Sequence, residues 1–162
     1  MKPPKNVLAS GRTNGDDWIE VAPAQLPTIL TELKARGFRS WSFMTCVDHL
    51  GTPLVVPPKE RFELVYQLRN METREQIRVR AFVPASDPVA PSVQEIFAPA
   101  NWDERETWDL FGIRFEGHPD LRRILLPDEW VGHPLRRDHP VGGEPVEFSD
   151  DHQSWQTAPA EA

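Results

Sequence analysis

Three histidines and two glutamates are the side chains whose types could support chemistry. His118, His133 and His139 each precede a proline, and together with a carboxylate they would supply the ligands of a zinc ion. Their spacing matches no compact zinc motif, and a histidine before proline more often bonds a carbonyl or caps a turn. Glu104 and Glu106 would need a pocket and a shifted pKa to act as acid and base. We therefore expect structural roles, with a metal-dependent hydrolase as the alternative.

The sequence lacks the signatures of common nucleotide, hydrolase and redox sites. It has no Gly-x-Gly-x-x-Gly fingerprint, no phosphate-binding loop, no Gly-x-Ser-x-Gly elbow and no Cys-x-x-Cys pair. Cys46 is its single cysteine, which excludes an internal disulfide and a cysteine-only metal or iron–sulfur cage within the chain. We expect Cys46 to behave as a small buried apolar residue.

Composition is typical of a globular protein of about one domain. The chain has 162 residues, of which 39% are hydrophobic and 27% charged, and its formal net charge is −7. This charge disfavours nonspecific binding to nucleic acid or to an anionic membrane, because both require a positive field. No run approaches the roughly 20 apolar residues that cross a bilayer. We expect a cytoplasmic chain whose membrane contact comes only through partners.

The elements that must position these residues follow from hydrophobic periodicity. Strict alternation over 62–69 and 77–83 predicts a β-hairpin, and the aromatic and β-branched run 38–47 predicts another strand. Helical spacing and a glycine in the position of a left-handed cap predict a helix before them; its residues are Leu26, Ile29, Leu30 and Leu33, with Gly37 as the cap.

Two further features precede the histidine-bearing segment. Ser92 and Glu95 have the spacing of a capping box, and a second helix is predicted from Asn101 to a stop at Gly112. If the first strand is extended, the side chains predicted on one face are Trp41, Phe43, Thr45 and Val47.

The fold class predicted is α+β, a small antiparallel or mixed sheet covered by helices and followed by an extended proline-rich C-terminal arm. We divide the chain into a flexible N-terminal arm (1–17), an α+β domain (18–112), an extended segment (113–140) and an acidic tail that binds a partner (141–162). Prolines interrupt the segment after 112 too often for long elements, and lysine and arginine are absent after Arg137.

Charged side chains of the second helix are close in sequence. Arg105 and Asp109 are four residues apart and are predicted to face each other, while Glu104 and Glu106 lie on neighbouring faces. Residue physics alone favours a solvated helix whose ion pairs contribute only a few tenths of a kcal/mol each.

The stretch from residue 104 to 138 contains a long run of signature residues, which are Glu104, Arg105, Glu106, Asp109, Gly112, His118, Pro119, Leu121, Arg122, Arg123, Trp130, Gly132, His133, Pro134, Leu135, Arg136, Arg137 and Asp138. In order and spacing this run resembles the C subunit of proton-pumping NADH-quinone oxidoreductase, respiratory complex I. We assign an interface role to these residues. Two positions depart from the family pattern: Arg137, where lysine is usual, and His139, where an aromatic residue is common.

The resemblance implies a non-catalytic scaffold subunit in the hydrophilic arm of the complex, with no catalytic, cofactor-binding or metal-binding residues of its own. FMN, the iron–sulfur clusters, NADH and quinone would belong to other subunits. The implied partners are chiefly the D subunit, and also the B and I subunits. The implied location is the cytoplasmic side of the cell inner membrane, as a peripheral protein. The equivalent component of a related membrane-bound hydrogenase or other quinone-linked complex is an alternative.

A mechanical role for the segment follows as a hypothesis. Four aromatic residues are expected to bury, namely Trp102, Trp108, Phe111 and Trp130. Four arginines are expected to pair with carboxylates and fix the arm, namely Arg122, Arg123, Arg136 and Arg137.

Overall fold

The computed structural model of the chain describes residues 3–52 and 59–140. Its elements in chain order are β1 (Ala9–Thr13), β2 (Asp16–Val21), a 3-10 turn (Pro23–Gln25), α1 (Leu26–Ala35), β3 (Ser40–Asp48), β4 (Phe62–Arg69), β5 (Gln76–Val83), β6 (Val89–Pro91), α2 (Ala100–Phe111) and β7 (Arg114–Glu116). The predicted tail (141–162) and most of the proline-rich loop after Gly51 lie outside the described residues.

A five-stranded mixed sheet is the centre of the fold. The strands lie in the order β1-β2-β5-β4-β3, and all neighbours are antiparallel except β2 and β5, which are parallel. A second, two-stranded parallel sheet joins β6 to β7. The α+β class predicted from the sequence is confirmed.

Helix α1 forms where helical periodicity predicted it. Its residues Leu26, Ile29, Leu30 and Leu33 are all buried in the core. Gly37 adopts φ +98°, a left-handed conformation that glycine tolerates without a Cβ clash, and thereby ends the helical turn. A Cβ there would also lie 2.7 Å from the Asn70 amide nitrogen, so glycine lets the helix end approach the β4–β5 turn.

The predicted hairpin is β4 and β5, whose alternation separates two faces. Inward side chains such as Tyr66 and Val79 are fully buried. On the outward face, Arg80 Nε donates to the Glu63 carboxylate, which also lies 2.7 Å from His49 Nε2. The outward face of the central strands is therefore covered by paired polar side chains.

Strand β3 differs from the prediction in the direction of its side chains. A bulge between Trp41 and Phe43 shifts the register with β4, so that Met44 and Cys46 point inward. Phe43 and Val47 are 42% and 39% exposed. Phe43, Thr45 and Val47 share the outer face as predicted, but the bulge turns Trp41 toward the core, so the prediction is wrong at Trp41 alone.

Both predicted ends of the α+β domain also differ from the structure. Residues 9–13 form β1, although 1–17 was predicted to be a flexible arm, because Gly11 lies beneath the Trp18 ring of β2. A Cβ at Gly11 would approach that ring to 2.7 Å. At the other end, Ile113 and Phe115 are buried at 0% and 2% exposure, so the folded core extends past 112.

Candidate functional site

Helix α2 is fixed against the outer edge of β3 by one carboxylate. Asp103 Oδ2 accepts hydrogen bonds from the Trp41 indole Nε1 and from the Met44 backbone N, both at 2.8 Å. The second contact satisfies a backbone donor of an edge strand of the sheet. The helix therefore has a defined orientation from which its other polar side chains reach the segment that follows.

Asp109 binds the segment 117–140, here called the arm. Its Oδ2 accepts the backbone N–H groups of Ile124, Leu125 and Leu126 at 2.9–3.0 Å, and its Oδ1 accepts Arg123 Nη1 at 2.5 Å. The Asp109 side chain is fully buried. Burial raises the pKa of its carboxyl, but the three backbone donors and Arg123 outweigh burial and lower the pKa to about 2.

Arg105 binds the same stretch of the arm through carbonyl oxygens. Its Nε donates to the Arg122 carbonyl at 3.2 Å and its Nη2 to the Arg123 carbonyl at 3.1 Å. Arg105 and Asp109 therefore bond the arm and do not form the predicted ion pair with each other. The extended backbone of the arm presents carbonyl groups to Arg105 and N–H groups to Asp109. The prediction of a solvated helix face is wrong at both residues.

The arm also caps the C-terminus of α2, where the last carbonyls of a helix lack intrahelical partners. Three donors from one turn of the arm reach three consecutive carbonyl oxygens: His133 Nδ1 to Asp109 at 2.9 Å, Leu135 N to Leu110 at 3.1 Å, and Arg136 Nε to Phe111 at 2.6 Å. The Nδ1 donor fixes the tautomer of His133, and burial lowers the pKa of that ring.

Gly112 permits this capping for two reasons. It adopts φ +72°, and its N–H bonds the Trp108 carbonyl to close the helix. A Cβ at Gly112 would lie 2.5 Å from Arg136 Nη2 and from His133 Nε2. Any side chain at this position would displace the residues that cap the helix.

The end of the arm is tied to the sheet by a charge cluster of Asp48, Arg61 and Asp138. Arg61 donates two hydrogen bonds to Asp48 at 3.0 and 2.7 Å and two to Asp138 at 2.9 and 2.7 Å. The backbone N of Arg137 also donates to Asp48 at 2.9 Å. Burial raises the pKa of Asp48, but Arg61 and the backbone donors lower it to about 2.

The importance of Asp48 and Arg61 was not predicted from the sequence. Two sequence features could have indicated their role. Asp48 is a polar residue at the next inward position after Met44 and Cys46, and Arg61 directly precedes the buried Phe62. The guanidinium carbon of Arg61 lies over the Phe62 ring, 4.8 Å from the ring centroid.

Glu104 is buried without a cationic partner among the described residues. Its oxygens accept Ser92 Oγ at 2.6 Å and the Val93 N–H at 2.7 Å. Ser92 therefore donates its hydroxyl hydrogen bond to Glu104 of α2. The residues after Ser92 form turns, so the helix start that the capping-box spacing predicted is not present there. Burial raises the pKa of Glu104 to about 7, against the lowering effect of the Ser92 and Val93 bonds.

His118 lies beside Glu104. Its Nδ1 accepts the Asp120 N–H at 3.1 Å, which leaves Nε2 as the donor to the Asn101 carbonyl at 3.3 Å. The distance from Nε2 to the nearer Glu104 oxygen is 4.0 Å.

The three histidines weighed as zinc ligands have separate environments. His118 and His133 bond the carbonyls of Asn101 and Asp109, and His139 lies near Gly132. Across residues 3–52 and 59–140, no group of three or more His, Cys, Asp and Glu side chains is placed to hold a metal ion. The geometry gives the hydrolase alternative no support.

Other signature residues lie on the surface. Glu106, Pro119 and Gly132 are exposed, Arg122 pairs with Asp120 at 2.9 Å in solvent, and Leu121 and Pro134 are half-buried. The exposed apolar side chains of this region are Trp102 (58%), Leu125 (62%), Val131 (89%) and Leu135 (51%).

The predicted burial of the four aromatics holds in part. Phe111 is buried, and Trp108 and Trp130 are half-buried. Trp102 is exposed because its ring lies on the outer side of α2, where the Arg105 guanidinium stacks 5.4 Å from its centroid. Of the four arginines, Arg123 and Arg122 pair with carboxylates, whereas Arg136 and Arg137 donate to the carbonyls of residues 111 and 50.

The sequence and the fold of this chain match those of known proteins. The family model of the respiratory-chain NADH dehydrogenase 30 kDa subunit matches residues 19–145, which include both helices, the arm and the sheet from the second half of β2 onward. A solved structure of the trypsin-resistant fragment (1-134) of Nqo5 has a TM-score of 0.65 and 34% identity, covering 70% of this chain and 89% of that chain.

Two curated relatives extend the match. The C subunit of NADH-quinone oxidoreductase from Salinispora tropica is 48% identical over 83% of this chain, which spans 54% of that relative's length. The C/D subunit of NADH-quinone oxidoreductase from Methylococcus capsulatus is 46% identical over 61% of this chain and 17% of its own length. With a family model matching most of its length, the chain belongs to the family of the 30 kDa subunit, also called the C subunit, of respiratory NADH-quinone oxidoreductase.

Proposed function

We propose that the chain is a non-catalytic scaffold subunit in the hydrophilic arm of NADH-quinone oxidoreductase, supporting electron transfer from NADH to quinone coupled to proton translocation. One observation carries this proposal: signature residues of α2 hold the arm in place and leave its apolar side chains exposed. Asp109, Arg105 and the capping residue Arg136 make intrachain contacts, whereas Leu125 and Val131 are 62% and 89% exposed. Such a rigid surface suits binding of another protein.

The D subunit is the partner we propose first, with the B and I subunits as further neighbours. The Methylococcus capsulatus relative carries C and D together in its name. A C portion and a D portion within one polypeptide would favour an association between the separate proteins. We place the exposed apolar side chains of the arm at that contact, because Leu125, Val131 and Leu135 are each more than half exposed next to the signature contacts.

We propose that FMN, the iron–sulfur clusters, NADH and quinone are bound by other subunits. Cys46 is the sole cysteine of the chain and is buried in the core, where burial raises the pKa of its thiol. A buried thiol of this kind is a poor metal ligand because the thiolate is disfavoured.

The proposed location is peripheral, on the cytoplasmic side of the cell inner membrane, where other subunits hold the chain. No helix among the described residues is both long and apolar enough to span a membrane. The exposed side chains of the arm supply contacts to proteins, so attachment through partners requires no membrane segment in this region.

Gentle-detergent purification of the tagged chain from its native membranes tests the proposal, with the co-purifying proteins identified by mass spectrometry. We expect the NADH-binding, cluster-bearing and membrane subunits of NADH-quinone oxidoreductase. Recovery of hydrogenase subunits would move the chain to a related machine, and recovery of the chain alone would remove the scaffold role.

A matched pair of variants locates the contact. Leu125→Asp places a charge on the exposed side of the arm and should reduce recovery of the D subunit. Leu8→Asp changes a leucine of nearly equal exposure, 61% against 62%, beside the edge strand β1. That strand lies across the whole sheet from β3, against which α2 packs. Equal loss from both variants would contradict a contact centred on the arm.

A further inference from the structure

Three connections meet at one end of the five-stranded sheet. The β3–β4 register pairs Ser40 with Arg69, which brings the α1–β3 connection beside the end of β4. The β4–β5 turn then continues from Asn70, whose Oδ1 accepts the N–H groups of residues 72 and 73 at 3.0 and 3.2 Å. Gln76 Nε2 donates to Asp16 Oδ1 at 2.7 Å and joins this turn to the start of β2.

Four arginines lie in these connections or in the strand ends beside them, and we call this surface the basic corner: Arg39, Arg69, Arg74 and Arg78. In β4 and β5, Arg69 lies opposite Gln76 and Arg78 lies opposite Gln67. Arg69 and Arg78 are therefore diagonal neighbours on one face, with Cα atoms about 7–8 Å apart.

Within the described parts of the chain, the cations of the basic corner lack the carboxylate partners that neutralise Arg61. Among the described residues, the side chains of Arg39, Arg69 and Arg74 have no hydrogen-bond or ion-pair partner, and all three are exposed. Arg78 Nε donates to the neutral amide of Gln67 at 3.1 Å. By contrast, the largely buried Arg61 has two carboxylate partners.

Neighbouring acids offset this charge only in part. The turn contains Glu72 and Glu75, and Glu75 Oε2 accepts the Thr73 hydroxyl at 2.8 Å. Asp16, which accepts the Gln76 amide, is a third carboxylate at this end of the sheet, and Asp17 beside it lies 3.7 Å from Arg12. The formal net charge of the whole chain is −7. The arginines exceed these carboxylates by a small number only, but Arg39, Arg69 and Arg74 remain available to carboxylates of another protein.

A recess of about 380 Å³ opens beside two of these arginines, Arg69 and Arg74. Its lining residues are Arg69, Asn70, Met71, Arg74, Glu75 and Gln76. Met71 is 73% exposed at its rim and offers an apolar contact beside the cations. Arginine and methionine together are typical of protein interfaces rather than of surfaces that bind phosphate alone.

We propose that the basic corner is a second docking surface, which binds an acidic segment of a neighbouring subunit through carboxylates paired with Arg69 and Arg74. This inference rests on the proposed scaffold role in a multisubunit complex. Guanidinium groups pair with carboxylates in a planar, bidentate geometry, and the recess admits such side chains between the two arginines. The surface lies at the opposite end of β3 from the cluster that ties down the arm, about 25–30 Å away by strand rise.

Cross-linking in the assembled complex tests the docking surface. The complex is purified from native membranes carrying Arg74→Lys or, separately, Arg69→Lys, each of which keeps the positive charge and adds a primary amine. A carbodiimide then joins that amine to a touching carboxylate as an amide and takes up the water that is lost. The lysines of the natural chain all lie at or before Lys59, so tandem mass spectrometry assigns a new cross-link at position 69 or 74 without ambiguity.

We expect a cross-linked peptide that joins position 74 or 69 to an aspartate or glutamate of another subunit. Arg114→Lys is the positive control, because Arg114 lies 3.8 Å from Asp87 and 3.9 Å from Glu116 and should cross-link within the chain. Four outcomes would each overturn the proposal. Position 74 or 69 would cross-link only to Glu72 and Glu75, only to the chain's own residues 141–162, only to lipid, or to nothing.

Recovery of the other subunits is measured first in the same samples, so that the two proposals are tested separately. Intact recovery without an intersubunit cross-link overturns the basic corner alone. Failure of the unmodified chain to recover any other subunit overturns both the scaffold function and the docking surface.

Discussion

Buried carboxylates of this chain differ by the donors that surround them. Asp109 receives a guanidinium and three backbone N–H groups, whereas Glu104 receives one hydroxyl and one backbone N–H. Both are fully buried, yet the pKa of Asp109 falls to about 2 and that of Glu104 rises to about 7. The difference arises because a cation and several amides offset desolvation at Asp109 and no cation does so at Glu104.

Asp109→Asn should destabilise the chain by about 3–5 kcal/mol, because it leaves the Arg123 guanidinium without its buried anion. Denaturant unfolding measures the change in free energy, and hydrogen exchange at residues 124–126 should accelerate as their acceptor weakens. Glu106→Gln, on the exposed face of the same helix, is the control and should change stability by no more than about 0.5 kcal/mol. Equal effects from both variants would refute the anchoring role of Asp109.

Glu104 should make stability fall as pH rises from 4.5 to about 7. Its folded-state pKa lies above its ordinary value of 4.5, so the folded state holds the proton more tightly, and that contribution is complete below pH 4.5 and lost through pH 7. Urea unfolding measures the free energy of the natural chain and of Glu104→Gln at each pH. The difference between the two proteins should change across this window by about 2–3 kcal/mol.

His133 titrates in an overlapping window with the opposite sign. Burial lowers its pKa, so stability is lost as pH falls below its ordinary value of 6.5. This effect is common to both proteins, and their difference therefore isolates Glu104. Parallel pH profiles for the natural chain and Glu104→Gln would show that Glu104 is ionised equally in the folded and unfolded states.

At the scale of elements, α2 and the arm form one structural unit. The helix offers side chains to residues 122–126 of the arm, and the arm returns donors from residues 133–136 to the end of the helix. Arg136 also places a positive charge at the helix C-terminus, where the helix dipole favours it. The helix end and the arm are therefore expected to open together.

Gly112→Ala should break this unit at its tightest point. Gly117→Ala provides a matched comparison, because Gly117 also has a positive φ, +84°, but an added Cβ meets nothing within 4 Å. Both variants incur a left-handed backbone penalty of about 1–2 kcal/mol. Only Gly112→Ala should add a further loss and faster hydrogen exchange at residues 133–136, and equal melting temperatures would contradict the close packing.

At the scale of the whole molecule, the arm forms a surface that several separate contacts attach to the domain; it does not enclose a pocket. Contacts at Asp109, at the C-terminus of α2 and at the cluster of Asp48, Arg61 and Asp138 distribute its attachment over the whole described length. Loss of one contact should therefore loosen part of the surface while the core of the sheet remains folded.

Arg136→Ala should lower the amount of assembled complex in the membrane more than it lowers turnover. The change removes the donor to the Phe111 carbonyl and the guanidinium 5.3 Å from the Phe62 ring, so the end of the arm loses its defined position. Native gel electrophoresis measures assembly, and NADH oxidation per assembled complex measures turnover. Arg114→Ala, at an exposed position outside the arm, is the control; full assembly with lost turnover would contradict the scaffold function.

The sequence by itself determined the secondary structure wherever a pattern repeats locally. Alternation identified the β4–β5 hairpin, helical spacing identified α1, and Gly112 marked the end of α2. The signature residues also indicated the family, because their order and spacing can be read directly from the sequence. These signals are local because backbone geometry fixes the period of each element.

Only the tertiary structure decided which groups meet. A bulge in β3 turned Trp41 away from the face of Phe43. Arg105 and Asp109 bond the arm rather than each other, and Trp102 is exposed to solvent. Asp48 accepts the N–H of Arg137 from 89 residues away. Periodicity carries no information on such contacts, because a carboxylate's partners depend on which distant donors the packed chain brings within about 3 Å of it.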